Sequence, residues 1–178
     1  MFEYKINEDI AMAEVDILIN ASNGIGWMGG KDGIKTRLKG VAESIHYVSK
    51  GEVEKLTKAY CRKHSLIGFK PGEIFVTPAP NLNAETIVHC VTMRYPGSKC
   101  SFITVQILIY RLLKILDECE KIGKTIETVA IPFLGCGTGG VDKDLVRQLY
   151  EEKFKDRKEK FYIYEFSKTE NNGQRKFR

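Results

Sequence analysis

Residues 15–33 read Val-Asp-Ile-Leu-Ile-Asn-Ala-Ser-Asn-Gly-Ile-Gly-Trp-Met-Gly-Gly-Lys-Asp-Gly. Val15 to Ile19 is a short β-branched apolar run, the composition of a strand buried on both faces of a parallel α/β sheet. A polar, glycine-rich loop is expected next. Asn20, Ser22 and Asn23 supply amide and hydroxyl groups at the carboxyl edge of the strand, and Gly24, Gly26, Gly29 and Gly30 let the backbone turn tightly or approach a ligand. Open α/β sheets bind ligands at that edge. A helix is expected to start near Lys31 or Asp32, which would set the loop's N–H groups beside the positive end of a helix dipole, where an anion is favoured.

Taken alone, the loop is explained equally well as a tight turn that needs small residues. Two familiar phosphate loops are excluded. Gly24 and Gly29-Gly30-Lys31-Asp32 give neither the spacing of G-x-x-x-x-G-K-[ST] nor its hydroxyl, and Gly24 to Gly29 fits G-x-G-x-x-G only formally, with no acidic ribose contact at the usual distance.

The 178 residues, 43% hydrophobic, suffice for the core of one domain. The net charge of +5 and sequence pI near 8.9 suit an anionic ligand and allow nucleic acid without requiring it. Much of that charge lies between Lys153 and Arg178, read as a solvated helix and, over 167–178, a flexible basic tail on a domain spanning 1–166. The cysteines, Cys61, Cys90, Cys100, Cys119 and Cys136, are odd in number and unpaired in spacing, as in a reduced cytosolic protein; no metal site and no cofactor are expected. No signal peptide or apolar span long enough for a membrane appears, so the expectation is a cytoplasmic, monomeric chain.

In chain order, Phe2 to Ile6 reads as an edge strand, with Asp9 the N-cap of a short turn reaching Ala13. A helix is expected over Gly33–Tyr47, bent or divided at Gly40, and a second over Glu52–Lys63 whose role is packing. Strands are expected over Glu73–Thr77 and Thr86–Thr92. His89 lies in an apolar run and is read as a hydrogen-bonded core histidine rather than a catalytic base. Ser101–Lys121 carries a strong amphipathic stripe. Thr128–Leu134 is a buried strand, followed by Gly135-Cys136-Gly137-Thr138-Gly139-Gly140-Val141 and a helix from Asp142; Phe161–Phe166 is the last strand. The strand, glycine loop, helix unit thus occurs twice, and two such nests side by side suit a ligand with more than one phosphate. Cys136 is read as a small buried residue in preference to an activated nucleophile, because no base is positioned beside it in sequence.

These residues carry a resemblance to the macrodomain family of ADP-ribose-binding modules. Asp16-Ile17-Leu18-Ile19-Asn20-Ala21-Ser22-Asn23 resembles the family's strand with its Asn-Ala-Ala-Asn motif, and Gly29-Gly30-Lys31-Asp32-Gly33 its glycine run. Glu73 to Pro78 with Asn81-Leu82, and Ile87-Val88-His89, are similar to its middle strands, and Ala130 to Gly140 to its second phosphate loop. The resemblance runs over about 7–166 in the family's order. The fold it implies is a three-layer α/β/α arrangement with a mixed sheet of about six strands between helices.

The resemblance also implies a site. Asp9 would accept a hydrogen bond from the adenine amino group, with the helix cap as a compatible role; Ile10 and Tyr164 or Phe166 would flank the adenine. Asn20, Gly29, Gly30, Gly135, Cys136, Gly137, Thr138, Gly139 and Gly140 would line the ligand, the 135–140 amides holding the diphosphate without a metal. Asn23 would fix the distal ribose and Asp32 would orient or activate the attacking water. Two departures stand out: Asp32 follows Asn23 by nine positions, one fewer than in the hydrolase branch, and Gly139 replaces an aromatic that covers the ribose in many relatives. The expected function is binding of ADP-ribose with hydrolysis of an ADP-ribosyl derivative. The alternatives are a binding module without turnover, and an RNA- or poly(ADP-ribose)-binding protein whose tail supplies salt-sensitive affinity.

Overall fold

The computed structural model describes residues 1–30 and 40–165. Lys31, Asp32, the expected helix start there, Phe166 and the basic tail lie outside the described residues. Six strands form one sheet: β1 (Phe2–Ile6), β2 (Ile17–Asn23), β3 (Ile74–Pro78), β4 (Thr86–Met93), β5 (Thr128–Pro132) and β6 (Lys160–Glu165). Their order is β1-β6-β5-β2-β4-β3, all neighbours being parallel except the antiparallel pair β3 and β4. The described helices are α1 (Val41–Val48), α2 (Glu52–His64), α3 (Phe102–Lys121) and α4 (Lys143–Phe154), with a single 3-10 turn at Ile10–Met12.

Alternation along the strands creates the layers. Ile17 and Ile19 of β2 face the same way as Val88, Cys90, Val129 and Ile131, and pack on Val105, Leu108 and Leu112 of α3 and Val146 and Tyr150 of α4. Leu18, Ile87, Ala130 and Tyr164 face the other way, against Ile10 and Ala11 of the 3-10 turn, Ile45 of α1 and Val53 of α2. The mixed, six-stranded sheet therefore lies between helices in the three-layer fold that the resemblance implies.

Caps fix the helix starts. Asp9 accepts from Ala11 N at 3.0 Å, Ser101 Oγ from Thr104 N at 3.1 Å, and Asp142 Oδ1 from Asp144 N and Leu145 N at 2.8 and 3.1 Å. The described helix α1 begins at Val41 with Gly40 as its N-cap, and the expected helical stretch before Gly40 lies outside the described residues. β2 also runs four residues further than its apolar stretch, through Asn23, because Asn20, Ala21 and Ser22 pair in register with His89, Cys90 and Val91 of β4. A register shift between Ser22 and Asn23, which faces Met93, ends the ladder and re-aims Asn23 into the loop.

Candidate functional site

β2 and β5 are adjacent and parallel, so the loops that leave their carboxyl ends emerge side by side. Asp16 secures the pair at the opposite end: its Oδ2 accepts from Glu127 N at 2.7 Å and Thr128 N at 2.8 Å. The segment after β4 touches both loops, since Gly24 N donates to Arg94 O at 2.9 Å and Cys100 N donates to Gly139 O at 3.0 Å.

The first loop is held from several sides. Asn23 accepts from Ile25 N and Trp27 N and donates from Nδ2 to Trp27 O. Gly24 packs so closely on Phe69 that a Cβ would come within 2.1 Å of its carbonyl oxygen, and at Gly26 a Cβ would meet the backbone of Thr57 at 2.7 Å. Thr57 Oγ1 donates to Gly26 O at 2.8 Å. Glu54, 6% exposed, accepts from Met28 N at 2.6 Å and Gly30 N at 3.0 Å and pairs with Lys58 at 2.6 Å. Burial by itself would raise the Glu54 carboxyl, but the Lys58 ammonium and then the Gly30 and Met28 amides outweigh it and hold the group below its ordinary range. Two N–H groups of the first loop are thus directed at an internal carboxylate rather than at the solvent side.

The second loop differs. Gly135, at φ 75°, accepts from Val141 N at 3.0 Å, and Gly140 N donates to Gly137 O at 3.1 Å. Among the described residues, the amides of Gly137, Thr138 and Gly139 donate to no protein acceptor. The N-terminus of α4 is capped by its own Asp142, so these three loop amides, rather than the helix's first turn, are the donors left for an anion. Lys99 Nζ lies 3.3 Å from where a Cβ on Gly140 would stand, which puts an ammonium beside the same loop. Gly139 has no room for a side chain: a Cβ would meet Gly135 O at 2.5 Å and Cys100 Cβ at 2.7 Å. Cys136 is partly buried, with its thiol pushed up to about 11 by burial, which agrees with a small packing residue and not a thiolate nucleophile.

Asn20 stands apart from the loops. It is fully buried in β2, and its Nδ2 lies 3.0 Å from His89 Nδ1, while His89 Nε2 lies 2.8 Å from Thr77 Oγ1. Thr77 donates onward to Pro78 O, so the consistent arrangement has His89 accepting at Nδ1 and donating at Nε2. Burial lowers His89 to about 3, and its ring stacks on Phe75 at 4.6 Å. His89 is therefore the core histidine that the apolar run implies. The loop position expected for Asn20 is corrected by its pairing in the sheet.

Asp9, Ile10 and Tyr164 come together at the 3-10 turn. Ile10 is 1% exposed and Tyr164 shares its cluster, and burial followed by the charges of Glu8 and other neighbours pushes the Tyr164 phenol up to about 12, keeping it neutral. A shallow depression of about 230 Å³ lies nearby, lined in part by Lys5, Met12, Tyr162 and Tyr164; of the expected site residues only Tyr164 borders it. Among the described residues, no group of three or more His, Cys, Asp or Glu side chains is placed to hold a metal ion, and no helix is long and apolar enough to cross a membrane. Glu54 and Lys99 were not legible as site residues: the first sits in an amphipathic helix among exposed charges, the second in a loop with no motif.

Comparison with known proteins agrees with this architecture. An uncharacterized protein of Aquifex aeolicus is 30% identical over 151 residues, covering 83% of this chain and 78% of its own length. The macrodomain of Mycobacterium tuberculosis DarG superposes with a TM-score of 0.75 at 22% identity, covering 94% of this chain and 99% of that one. Thermosipho africanus DarTG in complex with ADP-ribose gives a TM-score of 0.67 at 18% identity over 92% of this chain, which spans 41% of that protein. The family model described as Macro domain matches residues 19–150, from within β2 to within α4, and the chain accordingly belongs to the Macro domain family.

Proposed function

We propose that the chain binds ADP-ribose at the carboxyl edge of β2 and β5 and hydrolyses an ADP-ribosyl derivative there. The observation that carries the binding reading is the run of three amides, Gly137, Thr138 and Gly139, that donate to no acceptor among the described residues, with the Lys99 ammonium alongside. Such a nest stabilises a diphosphate through fixed partial charges and needs no metal. Gly135, Cys136 and Gly140 shape that loop, Asn23 with Gly29 and Gly30 forms the ribose side, and Asp9 offers the adenine amino group an acceptor above Ile10 and Tyr164. The ADP-ribose complex of the Thermosipho protein supports the choice of ligand.

In the hydrolytic step, water adds to the anomeric carbon of the distal ribose as the bond to the acceptor group breaks. Asp32 orients that water, takes its proton and passes the same proton on to the departing acceptor, so that the carboxylate is regenerated as ADP-ribose is released. The substrate is a mono-ADP-ribosylated carboxylate, an O-acetyl ester or a phosphate ester of ADP-ribose. Calorimetric titration with ADP-ribose tests binding, with micromolar affinity, roughly −8 kcal/mol, expected. Asp32→Ala is expected to keep affinity within a few-fold and to slow ADP-ribose release by about 10²-fold or more. One observation favours a binding module without turnover: position 139 is a glycine with no room for a side chain, so it offers none to cover a bound ribose. A parent protein that binds ADP-ribose but turns over none of these substrates decides for that second reading.

A further inference from the structure

A carboxylate buried against main-chain amides does more than satisfy itself; it chooses which way the peptides point. Glu54 Oε2 accepts from both Met28 N and Gly30 N, while its Oε1 takes Lys58. From α1, the buried His46 donates through Nε2 to Gly30 O at 2.8 Å, so both polar groups of Gly30 are fixed by side chains of two different helices. Gly29 and Gly30 have φ of 112° and 60°, where glycine alone is unstrained and a flip of the peptide between them is sterically cheap. The flipped peptide would aim a carbonyl at the Glu54 anion. Because a trans peptide sets N–H and C=O on opposite sides, the observed orientation turns Gly29 O away from Glu54, and that oxygen takes no donor among the described residues.

We propose that Glu54 is a positioning residue that orients the Gly29–Gly30 peptide so that this loop presents the Gly29 carbonyl as an acceptor for a sugar hydroxyl, and that it thereby selects ADP-ribose over ADP. The inference rests on the ADP-ribose reading above. It divides the labour between the two loops: the 137–139 amides donate to phosphate oxygens, and the 29–30 peptide accepts from the neutral glycosyl end, which ADP lacks.

The test compares ADP-ribose and ADP by calorimetry on the parent chain, Glu54→Ala, Glu54→Asp and Glu54→Gln, together with amide hydrogen exchange at Met28 and Gly30 in the ligand-free proteins. Glu54→Ala is expected to lose tenfold or more in ADP-ribose affinity with ADP held within twofold. Glu54→Asp, which keeps a charge for Lys58 but is one methylene short of the amides, should show the same selective loss even if the alanine variant fails to fold. Glu54→Gln retains an oxygen able to accept both N–H groups and should stay within threefold of the parent. Exchange at Met28 and Gly30 should be slow in the parent and the glutamine variant and fast in the other two. An unchanged ratio of ADP-ribose to ADP affinity in Glu54→Asp, or slow exchange at both amides there, overturns the role of Glu54. A parent that binds neither nucleotide overturns the ADP-ribose reading and the selectivity with it, while the exchange rates still decide whether Glu54 sets the loop.

Discussion

Asn23 grips Trp27 at both ends of its backbone: Nδ2 donates to Trp27 O at 2.7 Å, and Oδ1 accepts from Trp27 N at 3.1 Å. With Ile25 N as a further donor to Oδ1, one side chain that is 7% exposed closes the turn after β2. Asn23→Ala leaves three main-chain groups without that partner and is expected to lower stability by about 1–3 kcal/mol in urea unfolding. Trp27 is the sole tryptophan and is 38% exposed, so its emission should shift to the red in the variant and should change in the parent when ADP-ribose is added. Unaltered emission and stability in Asn23→Ala would show that the turn forms without it.

Acid should destabilise the protein through His89. Its folded-state value, lowered to about 3 by burial, lies below the ordinary 6.5, so the unfolded chain binds more protons between those limits. Stability is fully present above pH 6.5 and falls as the pH drops, by up to about 1.4 kcal/mol per pH unit between pH 6 and 4. Glu54 and Glu165, both held low in the folded state, add losses of the same sign as each is protonated at lower pH. His89→Gln should flatten the upper part of this dependence in denaturant titrations at pH 4.5, 6 and 8. An equal slope in parent and variant would remove His89 as the cause.

The two glycines of the second loop should respond oppositely to alanine. A Cβ at Gly137 meets nothing within 4 Å, whereas at Gly139 it meets Gly135 O at 2.5 Å and Cys100 Cβ at 2.7 Å. Gly137→Ala is expected to change stability by no more than about 0.5 kcal/mol. Gly139→Ala should cost about 1–3 kcal/mol through overpacking. Thermal melts of the two variants decide the point, and equal melting temperatures would mean that the 135–140 loop relaxes freely.

Lys99 should contribute to ligand affinity without contributing to stability. Its ammonium stands beside Gly140, and it makes no ion pair among the described residues. Lys99→Ala is expected to weaken ADP-ribose binding by about three- to tenfold, roughly 0.7–1.4 kcal/mol, with an unchanged melt. The loss should shrink at high salt, where screening already weakens the parent's contact. Equal affinities at low salt would place Lys99 outside the site.

Asp9 has a cap role that is visible and a ligand role that is proposed, and one variant separates them. Asp9→Ala removes the acceptor for Ala11 N and should destabilise the 3-10 turn by about 0.5–2 kcal/mol. If Asp9 also accepts from adenine, ADP-ribose affinity falls by a further 1.5–3 kcal/mol or so in protein shown to be folded. Normal binding by the folded variant leaves Asp9 as a cap alone.

Much of the fold is written locally. The alternation of Ile17, Leu18 and Ile19, the stripe on α3, the cap Asp9 and the two glycine loops all depend on neighbours a few residues away, and each appears where its pattern implies. Boundaries were less legible where pairing overrides composition. Asn20 to Asn23 look like loop residues, yet β4 supplies partners for their backbone and holds them in the sheet.

The sequence by itself determined the strand, loop and helix order, the glycines that the loops require and the buried place of His89, because periodicity and backbone sterics act between residues close in the chain. Only the tertiary structure decided which donors are spent. The charge of Glu54 reads as surface until α2 brings it to within 2.6 Å of Met28 N, and the amides of Gly137, Thr138 and Gly139 are distinguished from those of Met28 and Gly30 solely by what lies across from them. Hydrogen-bond satisfaction is settled through space, between groups that in this case stand 24 and 26 residues apart in the chain, and no local pattern encodes it.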